Sequence, residues 1–188
     1  FFPGSRNNEI KRMLPVFLKA ASKWDPAEYE ILISKSRTVN HQDFMHLVSG
    51  TGMPNLHIVD GYGYDMMRHC EVLTCTSGTV TLEAAYVGTP TVICYKANPL
   101  SYKIGKHLIR VSHIGLPNII LDKDLLPELV QHDANPERIN EKIREMQIGS
   151  SRRDVVILEL RKLKGILGQK KPSVEIPKII DYLLRTYG

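Results

Sequence analysis

The sequence predicts an α/β fold: a Rossmann-like parallel sheet with helices on both faces, followed by a helical tail. Three observations carry this reading. Short apolar runs recur without polar alternation, the signature of strands buried on both faces. Segments with apolar residues at three- and four-residue spacing separate those runs, as crossover helices would. Beyond Leu125 the strand-like runs stop and the pattern becomes helical throughout.

Taken in order, Phe1-Phe2-Pro3-Gly4 reads as the end of a strand and its turn, so the sequence is expected to be the C-terminal part of a longer protein. A helix follows, with Ile10, Met13, Leu14, Phe17, Leu18 and Ala21 on one face. Residues 29–34 (YEILIS) form a strand, 41–48 a helix, and 56–59 (LHIV) a second strand. Residues 64–69 turn once before a strand at 72–75. Residues 78–87 form a helix closed by Gly88 and Pro90, a usual stop pattern. A strand at 91–95, a helix at 99–110 and a short strand at 119–121 complete the sheet region. Val156, Leu160, Leu163 and Leu167 line one face of a basic helix, and Ile176, Ile179, Ile180, Leu183 and Leu184 one face of the last. Residues 1–150 are therefore expected to form one Rossmann-like domain. Residues 151–188 are expected to pack on a preceding domain or a partner chain.

The 188 residues suffice for one sizeable core, and 43% apolar with 24% charged residues is ordinary for a globular domain. No apolar run approaches the roughly 18 residues that span a bilayer, and no signal-peptide pattern is present. The three cysteines, Cys70, Cys75 and Cys94, lack metal-ligand spacing and read as small hydrophobes in a reducing compartment. There are 25 Lys+Arg against 20 Asp+Glu. Residues 152–171 carry the whole excess: Arg152, Arg153, Arg161, Lys162, Lys164, Lys170 and Lys171 against Asp154 and Glu159. That segment suits either a solvated helix face or an anionic lipid surface, where each basic residue is worth about 1 kcal/mol. Nucleic acid is disfavoured, because no aromatic residues interleave with the charges.

In open parallel sheets, ligands bind beyond the carboxyl ends of the strands. Three loops fall at that edge. In Pro3-Gly4-Ser5-Arg6, Gly4 permits close backbone approach, Ser5 can cap the helix, and Arg6 can fork onto a phosphate. The same residues also suit a capped helix start with a surface arginine. In 75–92 (CTSGTVTLEAAYVGTPTV), Ser77 and Thr79 can donate to phosphate oxygens above the amides of Gly78 and Thr79, while Glu83 can accept from a ribose diol. An N-capped helix with a surface glutamate is the plainer alternative; the density of hydroxyls favours the anion site. The third loop, Asp60-Gly61-Tyr62-Gly63-Tyr64, begins like GxGxxG but has Met66 where the third glycine belongs, so a dinucleotide site is rejected.

Other chemistries find no support. The seven histidines form no HxxxH or HxH pair, there is no GxSxG elbow, and the GSR loop lacks a Walker lysine. Neither a metal site nor a general base is expected in this segment.

Taken together, several motifs resemble lipid-A-disaccharide synthase. They are Pro3-Gly4-Ser5-Arg6 with Glu9-Ile10, then Ser77-Gly78-Thr79-Val80-Thr81-Leu82-Glu83, then Tyr95-Lys96 with Pro99-Leu100, then Leu116-Pro117-Asn118, then Pro127-Glu128-Leu129 with Gln131. Val80 stands where that family more often has alanine. The resemblance implies half of a GT-B fold, in which two Rossmann-like domains face each other and the C-terminal one binds the donor nucleotide. It implies an inverting, metal-independent transfer from UDP-2,3-diacylglucosamine to 2,3-diacylglucosamine 1-phosphate, with UDP released and no cofactor. Arg6 and Thr79 would hold the diphosphate and Glu83 the ribose; Asn118 and Gln131 would line the donor-sugar side. The catalytic carboxylate would lie in the N-terminal domain. The implied setting is cytoplasmic, peripheral on the inner membrane, with C-terminal helices that cross to the other domain and can contribute to a homodimer. The alternatives are another UDP-sugar GT-B enzyme, of the peptidoglycan N-acetylglucosaminyltransferase or UDP-sugar epimerase type, and a non-catalytic basic binding module.

Overall fold

The computed structural model describes residues 1–97, 112–168 and 172–187. Its strands are β1 (Ile31–Lys35), β2 (Leu56–Asp60), β3 (Leu73–Thr76), β4 (Thr91–Tyr95) and β5 (Glu128–Val130). The described helices are α1 (Asn7–Ala21), α2 (His41–Val48), α3 (Gly63–His69), α4 (Thr79–Val87), α5 (Leu116–Leu121), α6 (Pro136–Glu145), α7 (Ser151–Leu167) and α8 (Pro172–Tyr187). The expected helix at 99–110 lies outside the described residues.

All strand pairs are parallel: β1 with β2, β3 with β4, and β4 with β5. Phe1 and Phe2 join the two parts. The Ser34 amide donates to the Phe1 carbonyl at 2.9 Å, the Phe2 amide to Thr74 at 2.8 Å, and the Thr76 amide to Phe2 at 3.0 Å. The order across the sheet is therefore β2, β1, Phe1–Phe2, β3, β4, β5, an α/β fold with the parallel sheet the sequence predicted.

Helices cover both faces because neighbouring strand residues point to opposite sides. In β4, Val92 and Cys94 meet Met13, Phe17 and Ala20 of α1 and Ile139 of α6, whereas Ile93 meets Ala85 of α4 and Val156, Leu160 and Leu163 of α7. On the α1 side, Ile10, Leu14 and Leu18 close over Ile31 and Ile33 with Phe44 of α2. On the α4 side, Met66 and Met67 of α3 pack with Phe2, Leu73 and Ala84. Met66 thus fills the core, where a dinucleotide fingerprint would need glycine. The cysteines behave as hydrophobes: Cys75 and Cys94 are fully buried, and burial pushes the Cys75 thiol up to about 12.

Two expectations need correction. Residues 119–121 form the end of helix α5 and not a strand: Pro117 suits a first helical turn, Asp122 closes the helix in the left-handed region, and Ile119 and Ile120 are exposed. The last strand comes later, at Glu128–Val130, in a stretch expected to be helical. Helix α7 packs on α4 and α5. Val156, Leu160 and Leu163 are fully buried there, each worth about 1.5–3 kcal/mol. Helix α8 presents a run of apolar residues outward, among them Ile176, Ile179, Ile180 and Leu184.

The basic segment is also more committed than its composition suggested. Arg152 donates to the carbonyls of Asp124 and Leu125, and Arg153 to those of Glu71 and Met146. Lys164 stands 5.2 Å from the Tyr86 ring centroid. Glu159 bridges Lys123 and Lys162, and the hydrogen bond from Lys123 leads in lowering its carboxyl to about 2. A carboxylate whose folded value is depressed contributes stability above its ordinary value, and loses it as pH falls through the folded one. The stability gap between the wild type and Glu159→Gln is therefore expected to close between about pH 4.5 and about pH 2. Urea unfolding across that range checks it; a gap that persists at pH 2 would contradict the bridge.

Candidate functional site

A cleft of about 570 Å³ opens at the carboxyl edge of the sheet, lined by all three loops singled out in the sequence. Gly4, Ser5, Arg6 and Glu9 contribute from the start of α1, Gly61, Gly63 and Tyr64 from the turn after β2, and Ser77, Gly78, Thr79, Val80 and Glu83 from the start of α4. Ser34 and Ser36 line it from the end of β1. The sheet order explains the convergence. Phe1–Phe2 lies between β1 and β3, so the loops leaving these strands are neighbours.

At the start of α4, the Gly78 carbonyl accepts from the Thr81 amide at 3.1 Å and the Thr81 hydroxyl at 2.8 Å. The amides of Thr79 and Val80, both on the cleft wall, have no intrahelical acceptor by their position. A Cβ on Gly78 would meet nothing within 4 Å, so the backbone stands open to a ligand. Thr79 is exposed, and Glu83 is half-buried one turn further on, with no hydrogen-bond partner among the described residues. An anion over the first turn and a diol over Glu83 fit this arrangement.

Ser77 takes another part than expected. Its hydroxyl donates to the Ile114 carbonyl at 2.8 Å and its amide to Cys94 at 3.0 Å, so both donors are committed within the fold. It shapes the loop where direct donation to phosphate was expected. Ser5 likewise does not cap α1, because Arg6 occupies the N-cap position. The Ser5 carbonyl instead accepts from the Thr38 hydroxyl at 2.7 Å.

The cap comes from Glu9. Its Oε2 accepts from the Ser5 amide at 3.1 Å and the Arg6 amide at 3.4 Å, and its Oε1 from Arg6 Nη1 at 2.7 Å. Gly4 makes room with a φ of +117°, and a Cβ there would lie 2.6 Å from Glu9 Oε2. Glu9 entered the sequence reading only as part of a motif. An acid three residues after the N-cap was the local signal of its capping role.

Asn118 and Gln131 are not brought to the cleft. Asn118 is fully buried: its amide nitrogen donates to the Leu126 carbonyl and to Glu128 Oε1, both at 2.8 Å, and its oxygen accepts from the Leu126 amide at 2.9 Å. This corrects the expectation that its side chain lines a sugar site. Glu128 also accepts from the amides of Ile114 and Gly115 at 2.7 and 2.9 Å, so it orders the loop on which Ser77 rests. Gln131 sits at the same sheet edge beyond β5, its amide donating to Tyr95 at 2.8 Å. Its φ is +53°, and its Nε2 is buried with no partner among the described residues.

Lys35 was also missed. It is buried at the end of β1, where its ammonium meets Asp60 Oδ2 of β2 at 2.8 Å, and this hydrogen bond holds the Asp60 carboxyl below its usual range. The pair ties the two strand ends beneath the Gly61 turn. Among the described residues, no group of three or more His, Cys, Asp or Glu is placed to hold a metal ion, and no helix is long and apolar enough to cross a membrane.

A family model described as lipid-A-disaccharide synthetase matches residues 1–174. The lipid-A-disaccharide synthase of Nitrosococcus oceani is 47% identical over 139 residues, covering 73% of this chain and 36% of that protein. That of Syntrophus aciditrophicus is 38% identical over 168 residues, 88% of this chain and 44% of that protein. The Anaeromyxobacter dehalogenans enzyme is 30% identical over 185 residues, covering 97% and 48%. The chain thus spans less than half the length of these relatives, and it belongs to the lipid-A-disaccharide synthetase family.

Proposed function

We propose that this chain is the donor-nucleotide half of an inverting GT-B glycosyltransferase. The complete enzyme would join UDP-2,3-diacylglucosamine to 2,3-diacylglucosamine 1-phosphate, giving the lipid A disaccharide 1-phosphate and UDP. The observation that carries the reading is the meeting of two helix starts and Glu83 in one cleft, in a chain of this family.

The chemistry divides between two domains. The acceptor hydroxyl oxygen bonds to the anomeric carbon of the donor as the bond from that carbon to the UDP oxygen breaks. The hydroxyl proton passes to a base in the N-terminal domain. On this side, the amides of Thr79 and Val80 and the Arg6 guanidinium stabilise the negative charge that develops on the departing diphosphate. Glu83 accepts from the ribose diol and fixes the nucleotide's register. Gln131 belongs to the donor-sugar side of the same edge, while Asn118 and Ser77 support the walls.

The remaining partners follow from acylated substrates. The exposed apolar residues of α8 would meet the N-terminal domain or a second copy. Arg161, Lys162 and Lys164, exposed on α7, would face an anionic membrane surface. The complete protein is expected to turn over the acylated donor and not UDP-N-acetylglucosamine, and the 188 residues alone are expected to be inactive. Transfer from the unacylated sugar nucleotide would favour another UDP-sugar enzyme, and transfer by this chain alone would remove the need for a base elsewhere.

A further inference from the structure

The start of α1, where this reading brings Arg6 to a phosphate, already holds an anion of the chain's own. Glu9 takes the amides of Ser5 and Arg6 with one carboxylate oxygen and Arg6 Nη1 with the other. It reaches them because Gly4 has no side chain in the way. The two amide contacts, at 3.1 and 3.4 Å, are long and share a single acceptor, a weak hold for charge-assisted bonds. The Arg6 side chain is 81% exposed, so its remaining N–H groups can engage a ligand before the amides change hands.

We propose that Glu9 is a tethered competitor for the diphosphate, a role that rests on the nucleotide-site reading above. In the empty cleft it keeps the Gly4–Arg6 turn ordered. When the diphosphate enters, its oxygens take the Ser5 and Arg6 amides, and Glu9 withdraws or bears its repulsion. Either course lowers the affinity for the nucleotide, which favours release of the product. A glutamate acting as a cap alone makes the opposite prediction, that removing its charge leaves binding unchanged or weakens it.

The test is titration of the complete protein with UDP and with inorganic pyrophosphate, as wild type and as Glu9→Gln. Glutamine keeps the shape and an acceptor oxygen and removes the charge. Both ligands are expected to bind about three- to tenfold tighter to the variant, with the gain shrinking in high salt. Unchanged or weaker binding, with wild type still binding UDP, overturns the competitor role alone. No UDP binding by wild type overturns the nucleotide reading and this role with it. A second measurement needs no variant: the Glu9 carboxyl carbon resonance is expected to shift when wild type is saturated with UDP, and an unmoved resonance would also overturn the role.

Discussion

Glu83→Ala in the complete protein is expected to weaken UDP binding about ten- to a hundredfold and to change pyrophosphate binding by less than about threefold. Hydrogen bonds to a charged group contribute about 1.5–3 kcal/mol each, and a ribose diol offers two that share one carboxylate. Glu83 is half-buried on the cleft wall with no hydrogen-bond partner among the described residues, so its removal strands no buried donor. Stability is therefore expected to hold while affinity falls. Pyrophosphate lacks the diol and supplies the control. Calorimetric titration with both ligands checks the pair; equal loss for both would place Glu83 with the phosphates, and no loss for either would remove it from the site.

Asn118→Ala is expected to act in the reverse sense, destabilising the fold by about 2–4 kcal/mol with little change in UDP affinity. Both backbone groups of Leu126 bond to the Asn118 carboxamide inside the protein, and Glu128 loses one of its donors as well. A buried group left unpaired costs about 1–3 kcal/mol, and alanine adds a small cavity. Urea unfolding reads the loss. A variant as stable as wild type that binds UDP poorly would put the side chain back in the ligand's path.

These two residues also mark what sequence could and could not convey. The start of α4 was legible because a strand end, small residues and an acid one turn on are local features, and the parallel sheet brings such loops to one edge. The same holds for α1, whose apolar spacing matched its buried face through Ala21. Asn118 was not legible, because nothing local distinguishes a polar residue that reaches a ligand from one that reaches Leu126 eight positions on. Ser77 misled for the same reason: its acceptor, Ile114, is 37 residues away.

The errors of secondary structure have similar causes. Ile119-Ile120-Leu121 is a short apolar run, and such runs do not separate strand from helix by period. Strand β5 is three residues long and starts with Glu128, whose carboxylate is held by three donors from the α5 region. Helix α7, by contrast, was legible as a helix with Val156, Leu160 and Leu163 on one face; its charges hid only what its first arginines bond. Arg152 and Arg153 bond four carbonyls of the domain, and Leu160 and Leu163 are fully buried.

The cleft at the carboxyl edge is expected to hold the nucleotide of a sugar donor. A crystal structure of the complete protein with UDP tests it most directly. The expected density places the diphosphate within hydrogen-bonding distance of the amides of Thr79 and Val80 and of Arg6, with the ribose hydroxyls on Glu83. UDP bound elsewhere, for instance in the groove of about 270 Å³ beside Trp24 and Tyr29 at the amino ends of the strands, would contradict it.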